Sequence, residues 1–368
     1  LQFAIFYSII TCYYRKHLKP LTATFLTKEK LILAGALISC LIISLFIEWW
    51  TRDCGFIMSP DSYNYVSASK SFRKDRTFLS PDGSNYTNWP PLFPVIVSFF
   101  QDVPQAVAWI YLICKISISL VVFYLAEQFL NHTFFKIIYF IAVLLSVHIL
   151  LISVFIWSEA LFLALLLVHL YLSLNLKKTS LYFYLLLLTG FLLCLQRNAG
   201  AFWVCATALW FMLDKDVSFY AKVRKSILYI MVSCSGLVLW HVHTIFYLND
   251  RTAFSGQNVL AAVVINCQMI LINLTKFFIP LDGFLSIILG LIIILSLSFF
   301  SYRYFRNDNA LRLIMMCVLI YTIGFLPVSK LDIHDMERYF AVILPVFMLL
   351  PLKIAERLSE KSMSAVVI

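Results

Sequence analysis

Long apolar stretches, broken only by short polar segments, run along almost the whole of this 368-residue chain. Residues 31–47, 281–300 and 313–326 are nearly free of charge. Each is long enough, or nearly so, to cross about 30 Å of hydrocarbon at about 1.5 Å per helical residue. Apolar and polar positions do not alternate with a period of two. A closed barrel is therefore excluded and helices remain, because a backbone in lipid must satisfy its own hydrogen bonds. The pattern predicts spans near 31–50, 105–128, 136–155, 159–176, 181–195, 199–213, 226–247, 281–300, 313–328 and 339–355, about ten in all.

The longest polar interruption, 51–104, holds two unusual patches, Pro60-Asp61-Ser62-Tyr63-Asn64-Tyr65 and Asn88-Trp89-Pro90-Pro91-Leu92-Phe93-Pro94. Ser59 is a good helix cap, Pro60 suits the first helical position, and Asp61 in the first turn complements the helix dipole. Tyr65, Val66, Ser69 and Phe72 recur at three- and four-residue intervals, which predicts an interfacial amphipathic helix to about Lys74. A second helix, 95–100, follows the prolines and is too short to span.

Composition removes the soluble alternative. The chain is 62% hydrophobic and 13% charged, with a mean hydropathy of +0.88, more apolar surface than a water-soluble fold of this size can hide. A net charge of +10 invites a nucleic-acid partner. The basic residues, however, gather in 15–30, 177–178, 215–225, 303–312 and 353–361, as cytoplasmic anchors do. No Gly-rich phosphate loop, basic-aromatic strip or zinc spacing accompanies them. This bias places both termini in the cytoplasm, and parity then makes 259–280 a surface or re-entrant helix on the other side. The nine cysteines are scattered, mostly in apolar runs, and their spacing predicts neither a disulfide framework nor a metal cluster. The expected organisation is one transmembrane domain, 1–368. Within it 1–30 is a cytoplasmic or interfacial segment, 51–104 an outer catalytic loop, and 353–368 a cytoplasmic tail.

With this topology Asp61, Glu159, Arg197 and the group His334, Asp335, Glu337 and Arg338 fall at span ends on the outer side. A charge costs about 2.5–3.5 kcal/mol at a helix centre in the membrane, less near an interface, and usually faces a cavity or a partner. Four outer segments delivering charge to one side predict a water-accessible site. Each residue also has a plainer reading. Asp61 suits a helix terminus, Arg338 and Arg197 suit snorkelling anchors, and Glu159 suits a pairing with an Arg. Tyr65 and Trp89 suit an aromatic belt, and His334 with Asp335 a solvated pair. Lys115, inside the second span, receives no role.

The order of Asp61-Ser62 with Tyr65, Pro90-Pro91-Leu92-Phe93-Pro94, Ser158-Glu159-Ala160, Leu195-Gln196-Arg197-Asn198 with Gly200, and Glu337-Arg338-Tyr339 with Pro345 resembles the GT-C superfamily of integral-membrane glycosyltransferases. Within it, the protein mannosyltransferases and bacterial aminoarabinose transferases are the nearest subgroup. The resemblance covers nearly the whole chain. It implies an all-α polytopic fold whose first outer loop carries membrane-parallel helices. It further implies a polyprenyl-phosphate sugar donor, a lipid or glycan acceptor, inversion at the anomeric carbon, and an extracytoplasmic site in a bacterial inner membrane. Under it Asp61 is the base, Arg338 and Arg197 hold the departing phosphate, and Glu159, Glu337, Tyr65 and Trp89 contact substrate. No residue is assigned as a metal ligand, and a divalent metal is the one cofactor left open. Many relatives carry a second acid where this chain has Ser62. A transporter or flippase, or a lipid-linked polysaccharide polymerase or ligase, also fits a many-span apolar chain. The first is expected to show internal repeats and broken helices at the midplane, the second a dominant late outer loop.

Overall fold

The computed structural model describes residues 28–52, 55–87, 89–213, 217–248, 259–306, 308–327 and 333–366. Among them the extended pairing is confined to two isolated bridges, Ile57 with Phe155 and Leu79 with Asn85, and the rest is helix and loop. The chain enters through α1 (Lys28–Thr51) and then forms two short helices, α2 (Pro60–Asp75) and α3 (Leu92–Ser98). Next come α4 (Val103–Phe129), α5 (Thr133–Leu144), α6 (Val147–Val154), α7 (Glu159–Leu174), α8 (Ser180–Gln196), α9 (Gly200–Met212) and α10 (Phe219–Val242). The remainder is α11 (Val259–Lys276), α12 (Phe284–Phe305), α13 (Asn309–Gly324), α14 (Ile333–Ala341) and α15 (Leu344–Val366).

Among the described residues five segments are long and apolar enough to cross a membrane: Lys28–Thr51, Val103–Phe129, Thr133–Val154, Phe219–Phe246 and Phe284–Phe305. Leu31, Ile42 and Phe46 on α1 and Leu291, Leu295 and Phe299 on α12 are exposed, leaving each helix an apolar face that water would not tolerate. The protein is thus an all-α chain with the surface of a membrane protein. Its centre is α7, whose Phe162, Leu163, Leu166, Leu167 and Leu170 are fully buried. Lipid is as apolar as leucine, so close packing and polar contacts, rather than exclusion from water, must hold such helices together.

One polar clasp closes the end where α1 begins. Glu356 Oε1 accepts the backbone N–H groups of Asn131 and His132 at 2.7 and 2.8 Å, just ahead of α5, while its Oε2 pairs with Lys353 Nζ at 2.7 Å. The Thr133 hydroxyl donates to Glu29 Oε1 at 2.6 Å in the same place.

The structure refines three expectations. The span expected over 136–155 is present as Thr133–Val154 but is made of two helices, because the chain breaks at Leu145 and restarts where the Ser146 hydroxyl caps the amide of His148. Residues 259–276, within the segment expected as a surface or re-entrant helix, pack lengthwise on α12 as a helical hairpin. The Thr275 hydroxyl donates to Ser286 O at 2.7 Å, and Gly290 is in contact with the Leu271 carbonyl, an approach that a side chain would block. The expected span 339–355 is divided by a turn at Val342 and Ile343, so Arg338 sits on the separate helix α14. Beyond it α15 runs on as one helix to Val366, into the residues expected as a tail. The 1–30 segment lies outside the described residues except for Lys28–Lys30, which open α1.

Candidate functional site

Local chemistry positions α2. Ser59 has extended backbone and its hydroxyl accepts the Ser62 amide at 3.2 Å, while Ser62 Oγ accepts the Ser59 amide at 3.1 Å. This reciprocal cap, with Pro60 following, starts the helix where the local sequence favours it and puts Asp61 in its first turn. The cap is tied to the bundle. Ile57 N–H donates to Val154 O at 3.2 Å, laying 55–59 beside the link between α6 and α7, and the Trp157 indole N–H donates to Ser59 Oγ at 2.7 Å. Asp61 is thereby brought to the head of α7, where Glu159 is the first helical residue.

Two arginines complete the group. Arg197 ends α8 with extended backbone, and the chain turns straight into α9 because Gly200, without a side chain, fits against the Leu193 carbonyl. Arg197 Nη1 lies 2.7 Å from Glu159 Oε1 and 3.0 Å from Ser158 Oγ. Arg338 Nε lies 2.6 Å from the same Glu159 oxygen, and its Nη2 lies 2.5 Å from Asp61 Oδ2. Two carboxylates and two guanidiniums form one chain, Asp61–Arg338–Glu159–Arg197, with the fully buried Glu159 at its centre. Aromatic faces seat both cations. The Arg338 guanidinium is 4.3 Å from the Trp157 ring centre, and that of Arg197 is 4.8 Å from Tyr339. Burial would weaken the Arg338 cation, but the neighbouring carboxylates, Glu159 foremost, outweigh it and raise its pKa above the ordinary value. The Asp61 side chain keeps 18% of its surface exposed and is the open end of the chain.

Tyr65 lies one turn on in α2, and its hydroxyl is 3.0 Å from Ser158 Oγ. Burial pushes this phenol above its usual range. Its ring stands 5.6 Å from that of Trp89 and 5.3 Å from Phe93, so the proline-rich patch packs over the same spot. Asp61, Glu159, Arg197, Arg338, Tyr65 and Trp89 therefore meet. Glu337 does not join them, because its carboxylate turns to Lys276 at 2.6 Å. The side chains of His334 and Asp335 lie outside the described residues.

A second group went unrecognised in the sequence. Lys115 Nζ, near the middle of the 27-residue α4, lies 2.5 Å from Glu48 Oε1 and 3.0 Å from Ser44 Oγ. Arg52 Nη2 lies 3.4 Å from Glu48 Oε2 and donates to Ser153 O at 2.6 Å. The Tyr111 phenol is 2.6 Å from Trp157 O and accepts the Trp157 amide at 2.8 Å, and its ring is 5.7 Å from the Arg52 guanidinium. Tyr111 therefore links this group to the tryptophan under Arg338. The signal was present as an acid and a lysine in two otherwise apolar stretches, which marks a buried pair.

Among the described residues no group of three or more His, Cys, Asp or Glu could hold a metal ion. The space between Asp61 and Glu159 is filled by the Arg338 cation, so this donor set does not fit a divalent metal. Glu159 Oε2, Gln196 Oε1 and the Tyr86 hydroxyl are buried beside the cluster with no hydrogen-bond partner among the described residues. Each such atom costs about 1–3 kcal/mol, a penalty that a polar ligand would relieve.

No protein-family model, no curated protein and no solved structure matches the chain.

Proposed function

We propose that this chain is a GT-C-type glycosyltransferase. It moves a sugar from a polyprenyl-phosphate donor to a lipid or glycan hydroxyl at the extracytoplasmic face of a bacterial inner membrane. Its body has about ten spans. The observation that carries this reading is the partly exposed Asp61 carboxylate held at 2.5 Å by Arg338 at the open end of a buried charge chain. A base beside a cation is what inverting transfer from a phosphate needs.

In the proposed step Asp61 accepts the proton of the acceptor hydroxyl as its oxygen attacks the anomeric carbon. The bond from that carbon to the phosphate oxygen breaks, and polyprenyl phosphate leaves with the electron pair. Arg338, with Arg197 behind it, stabilises the departing phosphate, and a planar guanidinium suits its oxygens. The phosphate competes with Asp61 for Arg338 Nη2, so donor binding frees the base. Glu159, touching both arginines, is a positioning residue. Tyr65 and Trp89 offer aromatic faces to sugar. An apolar groove lined by Leu297, Met315, Leu319, Phe347 and Leu350 reaches Thr322, beside the Tyr321 whose hydroxyl donates to Tyr339 O. It is a bed for the prenyl tail.

The test is transfer of labelled sugar from polyprenyl-phosphate donors in proteoliposomes, wild type against Asp61→Asn. Loss of transfer with donor binding intact supports the base, and full activity in the variant removes it. The transporter reading draws support from the buried Glu48–Lys115 pair. It would take over if the wild type transferred no sugar across a broad donor panel yet moved a labelled solute across the vesicle wall.

A further inference from the structure

Trp157 stands in the short link between α6 and α7, and its backbone, both ring faces and its indole N–H are all engaged. The Tyr111 hydroxyl accepts its backbone N–H at 2.8 Å and lies 2.7 and 2.6 Å from the carbonyls of Phe155 and Trp157. This clamp from α4 fixes the backbone of the link. The Phe155 ring stacks on the indole, with ring centres 4.1 Å apart and planes 7° apart. The Arg338 guanidinium is 4.3 Å from the Trp157 ring centre. A stacked ring and a cation at these distances cannot share one face, so the indole is held between them. Its polar edge, the N–H, donates to Ser59 Oγ at 2.7 Å.

These contacts close a loop. Ser59 caps α2 just ahead of Asp61, and Asp61 Oδ2 meets Arg338 Nη2. One side chain, Trp157, therefore touches both the cap that places the carboxylate and the cation that holds it. Its part differs from that of Glu159. The Glu159 carboxylate grips Nε at 2.6 Å, which fixes where the guanidinium begins but leaves the planar group free to turn about its Cδ–Nε bond. A ring face fixes the plane, because a guanidinium gains most by stacking on it. A buried tryptophan is ordinarily core packing, with its N–H on any acceptor within reach. Here the acceptor is the cap of the site's own helix, and one ring face is given to a charge.

We propose that Trp157 is a positioning residue, which holds the plane of Arg338 and the cap of α2 together and so sets the spacing between Asp61 and the cation that a donor phosphate has to enter. Its effect on sugar transfer rests on the transferase reading, whereas the spacing itself does not. When a phosphate displaces Asp61 from Nη2, the guanidinium stays flat on the indole with its Nη2 edge toward the newcomer. The arginine then meets the departing phosphate without first having to reorient, as preorganised charge stabilisation requires.

The experiment compares wild type, Trp157→Phe and Trp157→Leu as full chains in proteoliposomes, with kcat and KM for the polyprenyl-phosphate donor measured separately. Both variants lose the indole N–H, and only Phe keeps an aromatic face. Trp157→Leu should lower kcat about 100-fold, the scale for about 1 Å of misplacement, with KM within about threefold of wild type. Trp157→Phe should recover about tenfold of that loss. Equal kcat in the two variants, an unchanged kcat in Trp157→Leu, or a fall carried by KM alone would overturn the proposal. Melting temperatures of wild type, Asp61→Asn, Trp157→Leu and the double variant give a readout that needs no transfer. With the indole gone the Asp61–Arg338 contact is already loosened, so Asp61→Asn should shift the Tm by about half as much or less as it does in wild type. Trp157→Met, also without a ring, takes the place of Trp157→Leu if the latter does not fold. Additive shifts would overturn the proposal. A wild type that transfers no sugar while the shifts stay non-additive overturns the transferase reading alone and supports the spacing role.

Discussion

Arg338 Nη2 and Asp61 Oδ2 meet at 2.5 Å across 277 residues of chain, and the Nε of the same guanidinium holds Glu159 at 2.6 Å. One cation thus divides itself between a carboxylate that is fully buried and one that is 18% exposed. Only the exposed contact can open without leaving a bare charge inside the bundle.

Under the proposed transfer, that asymmetry predicts the kinetics of Asp61→Asn. Asparagine is no longer a carboxylate rival for Arg338, so donor affinity should hold or tighten. The turnover number should fall by about 10²–10⁴, the usual scale for losing a general base. Separate kcat and KM values for the donor check both halves. A raised KM with unchanged kcat would make Asp61 a binding group and no base.

Glu159→Gln should act on stability first. The change leaves Arg197 and Arg338 buried without their shared anion, a loss of about 3–5 kcal/mol for a broken buried pair. Replacing Glu159, Arg197 and Arg338 together with Leu, Met and Met removes all three charges at once and should recover most of that stability while abolishing transfer. Unfolding titrations in mixed micelles, run beside the transfer assay, separate the two effects. A stable Glu159→Gln protein would mean that water already solvates the arginines.

Much of this site could be read from residue order alone. Ser59, Pro60 and Asp61 are local signals for a helix start, and α2 begins at Pro60 with the expected cap. Arg197 and Arg338 stand out because charge is rare in such apolar surroundings. Pairing is what order cannot supply. Glu337 and Arg338 are neighbours, yet successive helical residues face different ways, and one goes to Lys276 while the other goes to Asp61. Lys115 drew no role because its partner lies on another helix, in a stretch where one glutamate looks like a span boundary. The break at Leu145 was hidden for a related reason, since a serine cap inside an apolar run barely disturbs the hydrophobic pattern.

The α11–α12 contact makes a prediction independent of function. A methyl group at Gly290 would strike the Leu271 backbone, which cannot swing aside as a side chain could. Gly290→Ala should therefore destabilise by about 1–3 kcal/mol, the range for overpacking. Gly35 in α1 has nothing within 4 Å of an added Cβ, so Gly35→Ala should be neutral or stabilising by up to about 1 kcal/mol. The two variants compared in one unfolding series settle the point, and equal effects would mean that the hairpin packs differently.

The buried pair Glu48–Lys115 decides between an inert clasp and a working element. Lys115→Met alone strands Glu48 in the bundle and should cost about 3–5 kcal/mol, whereas Lys115→Met with Glu48→Leu removes both charges and should return close to wild-type stability. Arg52 keeps its 2.6 Å bond to Ser153 O in the double variant, so the wall carrying Tyr111 and Trp157 has a remaining anchor. Sugar transfer by this double variant then carries the information. Retained transfer means that the pair only holds α1 to α4. Stable protein without transfer means that charge at Glu48 and Lys115 reaches Arg338 through Tyr111 and Trp157. The comparison is sharpest against Tyr111→Phe, which cuts that route and leaves the ion pair in place.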